Sequence, residues 1–357
     1  MSDPLTPLDL ARGPGWANRV ALAPMTNQQS AADGRLSDDE LRWLEARGRG
    51  GFGLVMTCAA HVQASGQGFP GQLGVFGPEH DEGLERLAAA LRATGTVSSV
   101  QLHHGGRRAP ERLTGEQPVA PSACEETGAR ALGLEEVEEV REAFIEAAVR
   151  CERAGFDGVE LHGAHDYLLC EFLSPATNRR EDRYGGSPEG RSRLLREIIT
   201  GIRERCRADL QLGLRLSPDR YGLDPLEVLD LERDLLASGS LDYLDVSLWD
   251  VRRESEDEGL AGRPLLEHHA ALPRGATRLG VAGQIATHED ACWCLERGVD
   301  FVLVGRAAIL HHDLPRRWAE PGFRPADLPV SAAHLAAQSL GPAFVDYLRR
   351  WDGFVAD

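Results

Sequence analysis

Gly158-Val159-Glu160-Leu161-His162-Gly163-Ala164-His165-Asp166-Tyr167-Leu168-Leu169, running on into Glu171-Phe172-Leu173-Ser174-Pro175, is the stretch that decides how the chain reads. It starts as a buried strand, with Gly155 just before it and Gly158, Val159 and Leu161 within it. It ends in two histidines and a tyrosine where the strand gives out, and that end of each strand is where a parallel α/β barrel keeps its chemistry. His162 and His165 are three apart, so on one turn of helix they share a face and can donate to one acceptor atom. Tyr167 follows two residues later. A phenol and two imidazoles converging there can polarise a carbonyl oxygen and deliver a proton. Taken singly, each residue has a plainer role, a helix cap for a histidine and core packing for the tyrosine. The three together at one strand end favour the functional reading.

Working outward, the same alternation of short apolar strand and helix recurs. Arg19–Pro24 reads as the first strand, stopped by proline, and Met25–Ser30 as a polar loop at its C-terminal end. Ser37-Asp38-Asp39-Glu40 supplies an N-cap and first-turn acids for a helix to about Arg47. Gly53–Thr57 is the second strand, followed by a helix from Pro78 to about Ala93 with Leu84, Leu87 and Leu91 on one face. Ser99–His103 is the third, ending in His104-Gly105-Gly106-Arg107, and a long amphipathic helix over 134–154 leads into the opening stretch as the fourth. Ser187-Pro188 opens a helix to Arg205. Leu212–Pro218, Tyr243–Leu248, Thr277–Gly283 and Phe301–Arg306 are strands five to eight, with helices over 225–238 and 287–297 between them. Eight strands alternating with helices predict an α/β fold, a single (β/α)8 TIM barrel, more economically than an open sheet. The barrel is assigned to residues 1–330, with a lid or short hairpin over 1–18. A helical tail over 331–357, bearing Phe344, Tyr347, Leu348 and Trp351, packs on the barrel or on a second subunit. The charge run Asp250–Glu258, with Arg252 and Arg253 among its acids, reads as a solvated loop.

Composition narrows the partners. A formal charge of −17 argues against nucleic acid or an anionic membrane surface as the main partner. Seven cysteines in no ligand-like cluster do not form a disulfide framework or a zinc ribbon, and Cys292 and Cys294 read as packing residues. The first ten residues lack the basic and apolar regions of a secretory signal, and no apolar run reaches the length of a membrane span. A reducing, cytoplasmic location is expected.

Two glycine-bearing turns end the last two strands, Ala282-Gly283-Gln284-Ile285 and Val304-Gly305-Arg306-Ala307-Ala308. Barrels hold phosphate in these loops, because small residues let backbone N–H groups approach, and Arg306 can neutralise the charge. Gln101 and Arg215 lie near the ends of strands three and five. A charged Arg215 facing the interior needs an anionic or electron-rich partner, either a strand acid such as Glu160 or a bound flavin ring that Gln101 would also hold.

Further stretches complete a pattern: Asn18-Arg-Val-Ala-Leu-Ala-Pro-Met25, Gln101-Leu-His-His-Gly-Gly-Arg107, Ala154–His165, Glu171–Pro175 with Asn178, Arg183-Tyr-Gly-Gly-Ser-Pro188, and Gly298–Arg306. In this order, over about residues 18–320, the chain resembles the old yellow enzyme family of FMN-dependent ene reductases, most closely its bacterial YqjM-like branch. The resemblance implies non-covalently bound FMN bordered by Ala23, Pro24, Met25 and Thr26, with Ala59 as the small residue at the end of strand two. It implies that Gln101 and Arg215 hold the ring while Gly283, Gly305 and Arg306 take the phosphate. It implies that His162 and His165 grip the carbonyl or nitro oxygen of an activated alkene, with Tyr167 in the proton donor's place. NADPH or NADH would reduce the flavin and leave, and the alkene would then accept hydride in the same pocket. A homodimer or homotetramer is implied as well.

Three departures stand out. Thr26 occupies a position where that branch usually has cysteine, and Gln28 one where it has a substrate-facing tyrosine, so the pocket is expected to be more polar. The iron–sulfur cysteine cluster of larger dienoyl-CoA-reducing relatives is absent from these residues, which disfavours that activity. Two rivals remain: a metal-dependent barrel hydrolase or lyase using His103, His104, His162 and His165, and a flavoprotein without useful turnover. No metal is expected. The first rival leaves Gly305-Arg306 unexplained, and the second leaves the two histidines and Tyr167 without a task.

Overall fold

The computed structural model describes residues 3–356. Eight parallel strands form its centre: β1 (Val20–Leu22), β2 (Leu54–His61), β3 (Val97–His103), β4 (Gly158–Gly163), β5 (Gln211–Leu216), β6 (Tyr243–Ser247), β7 (Arg278–Ala282) and β8 (Phe301–Val304). β1 pairs with both β2 and β8, which closes the sheet into a barrel. A helix follows each strand: α1 (Asp38–Arg49), α2 (Asp81–Thr94), α3 (Leu134–Ala154), α4 (Pro188–Arg205), α5 (Pro225–Ser238), α6 (Leu265–Ala270), α7 (His288–Leu295) and α8 (Arg306–Leu310). The expected (β/α)8 architecture is therefore the one observed. The local start signals act as read: Ser37 accepts from the Glu40 amide, and Ser187 caps the helix that Pro188 opens.

Side chains alternate across each strand, so one set packs under the helical ring and the other fills the barrel. Val159, Leu161, Leu212, Leu214, Leu244 and Val246 belong to the outer set and are buried beneath the helices. The inner set is what the register brings together. Gln101 lies beside Glu160, His162 beside Arg215, and Arg215 beside Asp245.

The segment ahead of β1 is bridged antiparallel at Leu8 and Trp16, and its tryptophan plugs the lower end of the barrel. Trp16 meets the Phe301 ring edge-on at 4.8 Å and Tyr243 at 5.7 Å, and its indole donates to Gln211. Gly213 and Gly280 leave room for these rings, since a Cβ at either would overlap Tyr243 or Phe301. Gly213→Ala should therefore overpack the barrel floor and cost about 1–3 kcal/mol. A lowered urea midpoint at unchanged m-value is the expected result.

Two local readings change. β2 continues four residues past Thr57, through an irregularity between Met56 and Ala59, and pairs with Gln101–His103. The apolar run stops at the bulge, but the backbone ladder does not. Arg253, expected in a solvated loop, is instead mostly buried and forms a bidentate pair with Asp219. Arg252, by contrast, lies over the Trp293 ring and pairs with Asp290 at the surface. The C-terminal helices α9 (Ala332–Ala337) and α10 (Pro342–Leu348) lie on the chain's own barrel. There Phe344 meets Trp43 edge-on at 5.0 Å, and buried Arg47 donates to the Gln338 and Ala308 carbonyls. The Gly341 amide reaches the Gln29 side chain, tying this tail to the loop after β1.

Candidate active site

His162 is the last inward-facing residue of β4, and His165 lies in the loop beyond it. They do not share a helical turn. His165 and Asp166 both take left-handed backbone, at φ 62° and 60°, and this reversal swings His165 back over the strand end. The strained turn is restrained by its neighbours. Ser217 accepts from the His165 amide at 3.1 Å, and Arg107 clasps both Asp166 oxygens at 2.7 Å. The two imidazoles end 5.2 Å apart, nearly perpendicular.

A hydrogen bond from the backbone assigns the tautomer of His162. The Ala164 amide donates to His162 Nδ1, so that nitrogen carries no proton and Nε2–H is the free donor. Ser247 Oγ receives Arg215 Nη2 at 3.3 Å and lies 2.8 Å from His165 Nε2. The serine hydroxyl can donate to the ring, and in that tautomer Nδ1–H is the donor of His165. Burial holds the His162 pKa well below its ordinary range, reinforced by His165, His103 and Arg215. Burial likewise lowers His165 to about 3, with help from Arg215 and Arg108. Both rings are thus neutral hydrogen-bond donors at physiological pH.

Tyr167 completes the group. Its ring stands 5.1 Å from His162 and 4.3 Å from His103, with the Arg108 guanidinium 4.8 Å above it. Burial raises the phenol's pKa, partly offset by Arg108, so it retains its proton at neutral pH.

Beneath the histidines lies a polar layer. Arg215 pairs with Asp245, Nε to Oδ2 at 3.1 Å, rather than with Glu160. Glu160 instead accepts from Gln101 Nε2 at 2.7 Å. The strand register explains the choice, because Asp245 lies directly beside Arg215. Glu160 is fully buried, and burial together with Asp245 pushes its pKa up to about 8. The unfolded chain releases that proton near 4.5, so the folded state binds more protons in between and stability falls as pH rises through this window. Glu160→Gln has no such proton to lose. Its urea-unfolding free energy should fall less steeply than wild type between about pH 5 and about pH 8. Equal slopes would show Glu160 ionised throughout.

The opposite wall is small. Ala23, Ala59, Ala282 and Gly305 line the strand ends there, and a Cβ at Gly305 would sit 3.3 Å from Met25 Sδ. Pro24, Met25 and Thr26 are half-buried along the same edge, and the Thr26 side chain makes no hydrogen bond among the described residues. Gln28 is also half-buried, in left-handed backbone at φ 54°. Gly283 passes close under the 249–251 backbone, where a Cβ would meet the Asp250 and Val251 nitrogens at 2.9–3.0 Å. Arg306 is exposed and has no carboxylate partner among the described residues. Every candidate residue thus falls at the C-terminal mouth of the barrel or in the layer beneath it.

Sequence reasoning missed Ser217, Ser247, Asp245 and Arg108, which orient or neutralise the histidines. Period-two alternation from Asp245 to Ser247 was the available signal for two of them. It also missed the rim residues Tyr221 and Trp249. Left-handed non-glycine backbone gathers at this mouth, in the loops after β1, β4, β5, β6 and β7. No group of three or more His, Cys, Asp or Glu side chains among the described residues is arranged to hold a metal ion. No helix among them is long and apolar enough to cross a membrane.

Comparison with known proteins agrees with this geometry. The model of the NADH:flavin oxidoreductase / NADH oxidase family matches residues 6–321. The chain is 38% identical over 304 residues to the probable NADH-dependent flavin oxidoreductase YqiG of Bacillus subtilis, covering 82% of this chain and 81% of that protein. It is 34% identical over 326 residues to an NADPH dehydrogenase of Bacillus cytotoxicus, with 87% and 90% covered. The structure of morphinone reductase in complex with tetrahydroNAD superposes with a TM-score of 0.80 at 28% identity, covering 100% of this chain and 98% of that one. The chain spans only 36% and 31% of two longer curated relatives. Because the family match takes in every strand of the barrel and every loop of its mouth, the chain belongs to the old yellow enzyme family and is an NAD(P)H-dependent flavin oxidoreductase.

Proposed function

We propose that this protein is an FMN-dependent ene reductase that takes electrons from NADH or NADPH and reduces an activated alkene, an α,β-unsaturated carbonyl or nitro compound. The observation that carries the reading is the convergence of two neutral imidazoles, each with one N–H to donate, beside a protonated phenol. The strand ends below them would suit a flat heteroaromatic ring, with the small residues Ala23, Ala59, Ala282 and Gly305 on one side of the barrel and Gln101, His162 and Arg215 on the other. His103 Nε2 is a buried polar atom without a hydrogen-bond partner among the described residues. Gln101 and Arg215 would hold the ring, with Thr26 at its edge, and Gly283, Gly305 and Arg306 would receive the phosphate. Bound FMN would supply the hydride transfer between nucleotide and alkene.

The remaining chemistry belongs to the protein. His162 Nε2–H and His165 Nδ1–H would both point at the substrate oxygen. As negative charge develops there, their hydrogen bonds strengthen, which lowers the barrier rather than merely tightening binding. Neutral imidazoles suit this role, because they donate to the developing anion without surrendering their proton to it. Tyr167 holds its proton at the phenol oxygen and would deliver it to the α carbon. His162 is buried and His165 and Tyr167 are half-buried, and a ligand seated over them would exclude water that competes for these donors.

Anaerobic stopped-flow absorbance at the oxidised-flavin band tests the reading. NADPH or NADH should bleach the band, and 2-cyclohexenone should restore it. Protein that cannot be loaded with FMN would refute the cofactor assignment. Bleaching without recovery would leave flavin reduction standing and remove ene reduction of this class.

A further inference from the structure

Two loops that the chemistry above leaves unused close one side of the mouth. Trp249, just after β6, is 54% exposed and has left-handed backbone at φ 64°. Single exposed aromatics are common, but a bulky residue at positive φ persists only where its surroundings over-determine it. Those restraints are present. Arg253 donates from Nε to the Leu248 carbonyl at 2.6 Å, and its other nitrogens grip Asp219 on the neighbouring loop. The Leu248 amide is bound to Ala282 O at 2.8 Å, and the Val251 amide to Gly283 O at 3.3 Å. The loop after β5 is held in the same way. Arg220 and Tyr221 are both left-handed, at φ 69° and 54°, and the Ser174 hydroxyl lies 2.9 Å from the Tyr221 and Gly222 carbonyls.

The outcome is an aromatic rim aimed at the histidines. Trp249 and Tyr221 stand edge-on to His165, with ring centres 6.5 Å and 6.4 Å away. The Arg220 guanidinium lies 5.2 Å over the Trp249 ring. Its side chain makes no hydrogen bond or ion pair among the described residues. Arg108, also beside His165, stacks over Tyr167, donates to the His165 carbonyl at 2.7 Å and has no carboxylate partner among the described residues. This chain carries a net charge of −17, and acids are plentiful. Two guanidiniums left without carboxylates, each fixed on an aromatic face and together flanking neutral histidines, are positioned for an anion that the chain does not supply.

We propose that Arg220 and Trp249, with Arg108 nearby, form a subsite for an anionic group carried on a planar ligand whose other end reaches His162 and His165. The indole face stacks the planar part, and the guanidinium takes the charge through two parallel N–H donors. The inference rests on the ene-reductase reading, within which such an anion has two sources: a carboxylate on the alkene, or the pyrophosphate next to the nicotinamide ring of the nucleotide.

Calorimetric titration of the holoenzyme distinguishes these sources without requiring turnover. The probes are trans-cinnamate, its neutral amide and tetrahydroNADH, a nucleotide that cannot give hydride. Arg220→Gln should weaken one anion about tenfold relative to the amide, and Arg220→Lys should restore part of the loss. Loss confined to cinnamate assigns the subsite to the alkene, and loss confined to tetrahydroNADH assigns it to the nucleotide. Trp249→Ala should weaken the same anion together with the amide, because it removes the stacking face. If Arg220→Gln leaves both anions at wild-type affinity, or if wild type binds neither, the subsite is overturned. Failure of the flavin to bleach and recover in the stopped-flow experiment would instead count against the ene-reductase reading, and the calorimetry would remain interpretable.

Discussion

Replacing His162 with alanine should lower kcat/KM for 2-cyclohexenone by about a hundred- to a thousandfold, the loss typical of removing one preorganised donor from a developing oxyanion. The ring's Nε2–H is a fixed donor because Nδ1 already accepts from the Ala164 amide, so little reorganisation accompanies reaction. kcat should fall with kcat/KM, since the interaction is strongest in the transition state. Combining His162→Ala with His165→Ala should cost less than the product of the single losses, because both rings serve one oxygen. The rate of flavin bleaching by the nucleotide provides the control. Equal losses in both half-reactions would mean that His162 acts on the flavin site and not on the alkene. Acid should not inactivate the site by charging His165 until far below neutrality, since burial and Arg215 hold its pKa near about 3.

Arg215→Leu should destabilise the fold by about 3–5 kcal/mol at neutral pH, the range for removing one partner of a buried ion pair. Asp245 would be left fully buried with no cation beside it, in a layer that already contains Glu160. Burial pushes the Asp245 carboxyl up to about 6 even with Arg215 present. Without the guanidinium that value rises further, so the loss should shrink as pH falls and the carboxyl takes up a proton. Adding Asp245→Asn to Arg215→Leu should recover part of the stability at neutral pH, since a neutral amide removes the stranded charge. Urea unfolding of wild type, the single variant and the double variant checks this. A double variant no more stable than Arg215→Leu would show that the cost comes from lost packing instead.

Much of the architecture was legible in the residues. The alternation Val159-Glu160-Leu161-His162 already places two apolar side chains under the helices and two polar ones in the barrel, because side-chain direction in a strand depends only on parity. Eight such segments separated by capped helices leave few alternatives to a closed parallel barrel. Cap and proline signals at Ser37, Ser187 and Pro188 located helix starts, since they act over three or four residues. The residues His162, His165, Tyr167, Gln101 and Arg215 were also visible, as reactive side chains at strand ends.

What chain order does not contain is how these groups face one another. His162 and His165 meet through two left-handed residues, not through the helical spacing their separation suggests, and only the restraints from Ser217 and Arg107 make that turn stable. Arg215 chose Asp245 over Glu160 because of strand register, which is a property of two segments thirty residues apart. The Trp249 rim depends on Arg253 reaching Asp219 across two loops. Local propensity and parity are encoded within a few residues, and the sequence by itself determined the barrel and the strand ends that carry the reactive groups. Tautomer, charge state and the shape of the mouth come from contacts between segments far apart in the chain, and only the tertiary structure decided them.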